Sequence, residues 1–368
     1  MKYIFKKPFY IFAAFLIDAL GTVIFFPRKI FKNRAPQDPE SILVVRLDHI
    51  GDFVCTTPLI KNLKNRFPDA KITVLVNAAS KDLAYRDPGV DKVITYSPFY
   101  LSRGERSSAS KGFMRVIKDV RNIGFDLGLD PRGDLLSILI MWLGGAKYRI
   151  GYGITGGSFL LNKEVRYDDN IHVVDRNLAL LKDMDIPIQD RLPSVYFNEK
   201  DMEVVDRTLR EIKVGAKKIV LHSFAGAQAR GWTRDNFQQI INRLKDSGVS
   251  TFLIGTNSDS GGYEDVVDMR GKFNLPQLAY FIKSIGYFIG LNSGPANIAT
   301  AFGVPSVIIS SGSNIVEHWM PVSKNTRFIY KDIECRPCER KICPKNNYEC
   351  MDNISVDEVM KAVRELGV

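Results

Sequence analysis

SILVVRLDHIGDFVCTTPLIKNL, residues 41–63, decides how this chain folds. Ile42 to Val45 form an apolar run, three of the four β-branched, as required of a strand buried on both faces in a helix-covered parallel sheet. A polar turn with Asp48, His49, Gly51 and Asp52 follows. TTPLIKNL then resumes apolar residues at helical spacing, with Thr57 as its N-cap and Pro58 in its first turn. Strand, turn and helix in that order open a βα unit, and its turn lies at the carboxyl end of the strand, where α/β sheets bind ligands. Asp52 therefore occupies a ligand-facing position and Gly51 permits close backbone approach, although an isolated Gly-Asp pair is more often a plain turn or cap.

The same alternation continues outward. KITVLVN, KVITY and FDLGLD are further strands, LIKNLKNRF is a helix, and after Asn198 the pattern restarts. There a helix from Glu199 to Ile212 leads to strand KKIVLHS, helix NFQQIINRLKD, strand STFLIGT, helix LPQLAYFIKS, strand YFIGLN, helix ANIATAFG and strand PSVIIS. Two successive parallel α/β units are expected, with a ligand cleft between them. The division expected is an N-terminal segment 1–34, a linker 35–40 (APQDPE), a first unit 41–198, a second unit 199–350 and a C-terminal helix 351–368.

The chain has 368 residues, 45% hydrophobic and 25% charged, which excludes a disordered or fibrous protein. Its formal charge of +10 makes phosphate-bearing ligands and anionic surfaces plausible partners without saying which, and no nucleic-acid partner is expected. PFYIFAAFLIDALGTVIFF, residues 8–26, is long enough to cross a bilayer, although Asp18 and Thr22 interrupt it and basic residues flank both ends. Those flanks suit a helix lying on the inner face of a membrane, and the bland alternative is a helix docked on its own protein. No small-residue cleavage site follows, so a reducing, cytoplasmic catalytic body is expected. Cys335, Cys338, Cys343 and Cys350 cluster in CRPCERKICPKNNYEC, with structural thiols, a redox-labile pair or a metal clip open as readings.

Two loops of the second unit carry further chemistry. HSFAGAQARGWTRDNF combines Ser223, Gly226 and Arg230, where backbone N–H groups and a guanidinium can hold a diphosphate. GLNSGPANIATAFGVP leads from Asn292, Ser293 and Gly294 into a helix with Pro295 in its first turn, whose free N–H groups favour an anion. Each loop taken alone is equally a solvated or ordinarily capped one. GYGITGG, residues 151–157, matches G-x-G-x-x-G, but no long apolar strand precedes it and no clear helix follows, so a nicotinamide-dependent oxidoreductase is a poor reading. The Asp-Met-Asp at 183–185 reads as a helix end, not a metal site.

With these motifs together, the chain resembles glycosyltransferase family 9, the lipopolysaccharide heptosyltransferases, over nearly all of residues 41–368. The stretches that carry the likeness are ILVVRLDHIGDFVCTTPLIKNLKNRFPDAKITVLV, FDLGLDPRGD with AKYRIGYG, HVVDRNLALLKDMDIP, GWTRDNF, NSGPANIATAFGVPSVII and CRPCERKICPKNNYECM. The resemblance implies a GT-B fold and inverting, metal-independent transfer of a sugar from a nucleotide-diphosphate donor to a lipopolysaccharide core or related lipid-linked glycan, at the inner face of the cytoplasmic membrane. No cofactor and no metal ligand are expected. Asp52 would be the catalytic base. Ser223, Gly226, Arg230, Thr256, Asn292, Ser293, Gly294, Pro295 and Asn297 would form the donor side, and Gly51, Arg132 and Arg149 the acceptor side. NSGPAN departs from the family's usual Asp-Thr/Ser-Gly-x-x-His, and Asp48 and His49 stand where small hydroxyl residues are common. A second reading is therefore a non-catalytic nucleotide-sugar or glycan-binding protein that keeps the fold.

Overall fold

The computed structural model describes residues 3–5, 7–30, 34–98, 109–259, 261–321 and 323–368. Lys2, Lys6 and Lys32, three of the basic flanks of the apolar run, lie outside the described residues. The chain divides into two compact units, Met1–Pro193 and Ser194–Val368.

In the first unit, β1 (Ser41–Arg46), β2 (Lys71–Val76), β3 (Lys92–Thr95), β4 (Leu127–Asp130), β5 (Tyr148–Gly151) and β6 (Lys163–Glu164) form one parallel sheet in the order β3-β2-β1-β4-β5-β6. Its helices are α1 (Pro8–Ile30), α2 (Ile50–Val54), α3 (Thr57–Arg66), α4 (Lys81–Arg86), α5 (Ala109–Ile123), α6 (Leu135–Leu143) and α7 (Val173–Lys182). The run Ile42–Val45 is wholly buried, as its lack of alternation requires. The strand order reverses direction between β1 and β4, so the loops after these two strands diverge and leave a crevice at their carboxyl ends.

The second unit repeats the plan. Strands β7 (Lys217–His222), β8 (Val249–Leu253), β9 (Val266–Asp268), β10 (Phe288–Leu291), β11 (Ser306–Ile309) and β12 (Thr326–Ile329) are ordered β12-β11-β10-β7-β8-β9, and the reversal falls between β7 and β10. The helices are α8 (Glu199–Glu211), α9 (Arg234–Asp246), α10 (Leu275–Ile285), α11 (Gly294–Ala301), α12 (Val316–Trp319), α13 (Glu349–Asp352) and α14 (Val356–Glu365). Val359, Met360 and Val363 of α14 share one apolar core with Ile219, Leu221, Phe237 and Ile240, so the C-terminus belongs to this unit.

Four local expectations change. The C-terminal stretch forms two helices because Ser355 breaks the first run and caps the second, accepting from Glu358 N–H. Thr56, not Thr57, occupies the position before α3, and Thr57 Oγ1 instead donates to Val54 O. The turn after β1 is itself a short helix, α2, which carries Asp52 in its first turn. A strand, β5, does lead into GYGITGG. It is only four residues long and contains Tyr148 and Arg149, which hid it from an apolar-run criterion, and a single 3₁₀ turn at Ser158–Leu160 follows.

At the second reversal β7 and β10 lie so close that no side chain fits between them. Gly290 pairs with His222, and a Cβ on Gly290 would stand 2.7 Å from His222 O. Gly290→Ala should therefore force the strands apart and destabilise the second unit by about 1–3 kcal/mol, measured by urea unfolding.

Candidate active site

The first crevice is built on a buried guanidinium. Arg46 ends β1 with a side chain only 5% exposed, where Asp48 Oδ2 lies 3.3 Å from its Nε and Asp52 Oδ1 accepts a hydrogen bond from its Nη2 at 3.1 Å. Burial alone would lower the Arg46 pKa, but the two carboxylates outweigh it and raise it. Asp52 Oδ2 accepts from His49 N–H at 3.1 Å, so both carboxylate oxygens are oriented by donors. Gly51 is buried beside it in the first turn of α2.

The loop after β4 completes the cluster. Arg132 forms ion pairs with Asp48 and, at 2.8 Å, with Asp134, whose other oxygen caps α6 by accepting from Ser137 N–H. Its side chain as a whole is a quarter exposed, with Nη1 buried against Asp48. Asp130 is fully buried, and burial followed by the charge of Asp134 pushes its pKa well above the carboxylate range. Burial, together with the charge of Asp52, likewise pushes Asp48 up to about 6 against the pull of Arg46 and Arg132. One turn beyond Asp52, burial pushes the Cys55 thiol up to about 12, leaving it protonated and unreactive.

Arg149, expected on the acceptor side, is used differently. Its Nε donates to Leu160 O at 2.7 Å and its Nη1 to Ala146 O, tying β5 to the 3₁₀ turn Ser158–Leu160 and to the chain's approach to the strand. Lys147, which could also meet an anion, is exposed and pairs with Asp126 at 2.8 Å. Asp183 caps the end of α7 and Asp185 follows at a φ of 56°, the expected helix end.

The second crevice gathers most of the expected donor residues. Ser223 directly follows β7 and hydrogen-bonds Tyr263. Gly226 is exposed, and the half-buried Arg230 closes a single 3₁₀ turn, Gln228–Arg230. Ser293 precedes α11, but its hydroxyl is engaged with Leu291 O at 2.9 Å and with His222 Nδ1 at 3.1 Å instead of capping the helix. Pro295 follows in the first turn and has no N–H, while those of Gly294 and Ala296 are placed for an anion. The two asparagines have structural bonds: Asn297 Nδ2 donates to Ser293 O at 2.9 Å and Asn292 Nδ2 to Ser310 Oγ at 3.3 Å. Thr256 is exposed after β8, with its N–H and hydroxyl both given to Asp259 at 2.7 and 2.8 Å.

Sequence reading missed His222, Asp130 and Asp134. The signal was present, since all three sit at or just after the final residue of a strand adjoining a reversal. His222 is 6% exposed, and burial lowers its pKa to about 4 against the opposing charge of Asp259.

Cys335, Cys338, Cys343 and Cys350 are free thiols that line one small cavity with Ala229 and Gly312. The segment is tied to the loop after β7, for Ala229 N–H donates to Lys341 O at 3.0 Å. Burial would raise the Cys343 thiol, but N–H groups including those of Tyr348 and Lys345 outweigh it and hold it below the ordinary value. Among the described residues no group of three or more His, Cys, Asp or Glu is placed to hold a metal ion.

Two six-stranded parallel α/β sheets, each with polar groups at its own strand-order reversal, are the architecture of the GT-B fold. The model of glycosyltransferase family 9 (heptosyltransferase) matches residues 113–349, more than half of the chain, and the chain belongs to that family. It is 23% identical over 336 residues to lipopolysaccharide heptosyltransferase 3 of Escherichia coli K12, covering 86% of this chain and 95% of that protein. Its fold matches the glycosyl transferase family 9 protein of Veillonella parvula with a TM-score of 0.75 at 20% identity, covering 90% and 97% of the two chains. The match to ADP-heptose LPS heptosyltransferase II of E. coli has a TM-score of 0.70 at 20% identity, covering 89% and 98%.

His222 gives this site a pH signature. Its unfolded form takes up a proton near pH 6.5, whereas the folded form resists protonation until about pH 4. Between these values the unfolded state binds more protons, so stability falls on acidification by up to about 1.4 kcal/mol per pH unit. Chemical denaturation from pH 7 to 4.5 should show this component in the native chain and its loss in His222→Gln. Asp48 and Asp130, raised in the folded state, act in the opposite sense in both chains and cancel in the difference.

Proposed function

We propose that this enzyme transfers a heptose or closely related sugar from a nucleotide-diphosphate donor to a lipopolysaccharide core or similar lipid-linked glycan, with inversion at the anomeric carbon and without a metal ion. The observation that carries this reading is Asp52, a carboxylate at the carboxyl end of β1 with both oxygens oriented by Arg46 and His49 N–H. The likeness to lipopolysaccharide heptosyltransferase 3 and ADP-heptose LPS heptosyltransferase II of E. coli supports the sugar and the acceptor class.

In this mechanism Asp52 accepts the proton of an acceptor hydroxyl as that oxygen bonds to the anomeric carbon, while the bond from that carbon to the diphosphate oxygen breaks. Arg132, steadied by Asp48 and Asp134, offers its exposed edge to an acidic group of the acceptor. Arg230 and the first-turn N–H groups of α11 meet the charge that develops on the leaving diphosphate. Asn297 and Asn292, which stand where the family usually has an imidazole and an acid, bond to Ser293 and Ser310 and keep the loop before α11 in shape. The reaction takes place on the cytoplasmic face of the inner membrane, where α1 brings the enzyme to its lipid-linked acceptor.

The same departures favour the second reading, a binding protein without turnover, and one substitution separates the two. Asp52→Asn keeps size and much of the hydrogen bonding but cannot take the proton. Steady-state release of nucleotide diphosphate in the presence of acceptor should fall by about 10²–10⁴-fold with donor affinity nearly unchanged. A native chain that binds nucleotide sugar without ever releasing nucleotide diphosphate is a binding protein. On the donor side, Arg230→Ala should weaken the nucleotide diphosphate by about 1.5–3 kcal/mol in calorimetric titration, and Arg230→Lys by less. Unchanged affinity in the alanine variant removes Arg230 from the site.

A further inference from the structure

The apolar N-terminal helix is long enough to cross a bilayer, yet the first unit holds it along one side. Ala14, Asp18 and Gly21 are buried on α1 at the spacing of one narrow stripe, and Phe25 continues it by packing on Trp142 and Phe159, with ring centroids 5.7 and 5.4 Å apart. At Gly21 the body comes so near that a Cβ would stand 2.4 Å from the Phe159 ring.

Asp18 is the latch in this stripe. It is 6% exposed, its Oδ1 accepts from Gly157 N–H at 2.7 Å and Ser158 N–H at 3.2 Å, and its Oδ2 accepts from Tyr3 Oη at 2.8 Å and Ser158 Oγ at 3.1 Å. The glycine loop 151–157, which by pattern could cradle a phosphate, thus gives its last N–H groups to a carboxylate of its own chain. Ile4 N–H adds a backbone bond to Ile154 O at 3.2 Å.

The opposite flank of α1 is bare. Phe9, Phe12, Leu20, Val23 and Ile24 are each 60% or more exposed, and only 17% of the window Pro8–Phe25 is buried. Between Met1 and Gln37 the sequence has seven Lys and Arg and a single acid, the latched Asp18. An apolar flank in a segment this rich in basic residues complements anionic lipid and repels a second copy of itself.

We propose that α1 is an in-plane membrane-docking helix: the first unit clasps it through Asp18, and its bare flank is buried in the interfacial layer of an anionic bilayer without crossing it. Crossing would strip the carboxylate of its donors and carry it into hydrocarbon, whereas lying flat leaves the latch intact. The inference rests on the membrane reading above and adds orientation. The helix then stands between the lipid surface and the loop 152–158, which follows β5 in the first unit.

Flotation of the full chain with phosphatidylethanolamine–phosphatidylglycerol vesicles tests binding, and tryptophan placed at Phe9, Leu16 or Val23 tests depth through quenching by brominated lipids. Binding is expected to anionic vesicles and to be weak with neutral phosphatidylcholine. Phe12→Glu with Leu20→Glu, both on the bare flank, should lower the bound fraction by about tenfold or more while leaving thermal unfolding unchanged. The three tryptophans should be quenched at equal, shallow depth. Deep quenching at Leu16 with shallow ends means a spanning helix and overturns the proposal, as does a chain that ignores vesicles or one whose bare flank is covered by a second copy in sedimentation. Transfer to a detergent-solubilised acceptor is measured in parallel. Loss of vesicle binding with intact transfer sinks only this inference, and vesicle binding without transfer sinks only the enzymatic one.

Discussion

A buried guanidinium cannot stand without counter-charges, and Arg46 at the end of β1 imposes that requirement on everything around it. Asp48 and Asp52 answer it directly, Arg132 balances Asp48, and Asp134 balances Arg132 while fixing the start of α6. The alternation of charge spans the two loops that part at the strand-order reversal, so the loops are joined by electrostatics where the backbone separates them. Removing one member strands a buried charge, which costs far more than a surface pair. Asp52 thereby receives a fixed orientation from a structural necessity, and a carboxylate with fixed orientation is what proton abstraction needs.

The second unit reaches a comparable result by neutral means. His222 ends β7 as Arg46 ends β1, but burial keeps it uncharged, and it holds Ser293 at the entry to α11 by a single hydrogen bond. One half offers a charged crevice rich in carboxylates and the other a helix start. The two chemistries suit the two substrates of a group transfer, an acceptor that must lose a proton and a donor that leaves as an anion.

Much of this was legible in the residues, because continuous runs such as Ile42–Val45 and Phe288–Leu291 admit only a doubly covered strand, and the loops after them must then lie at the binding edge. Asp52, Ser293 and Gly294 were accessible by that logic. The pairing of Asp48 with Arg132 was not, for nothing local links residues 84 positions apart and only the adjacency of β1 and β4 brings them together. The bonds of Arg149 were equally out of reach, for only the fold brings its Nε to Leu160 O and its Nη1 to Ala146 O. Asp18 read as a flaw in a membrane span. In the fold it is the residue that ties the helix down.

That tie bears on how the protein can be handled. A chain shortened to begin after the linker would lose a greasy flank, but it would also bare Phe159 and Trp142 and leave the N–H groups of Gly157 and Ser158 facing solvent with no carboxylate between them. Backbone N–H groups so arranged collect sulfate or phosphate from a buffer. An anion found there in a trimmed protein would mark where its own aspartate used to sit, and crystallographers or ligand screeners working with such a form would meet a binding site that trimming had made.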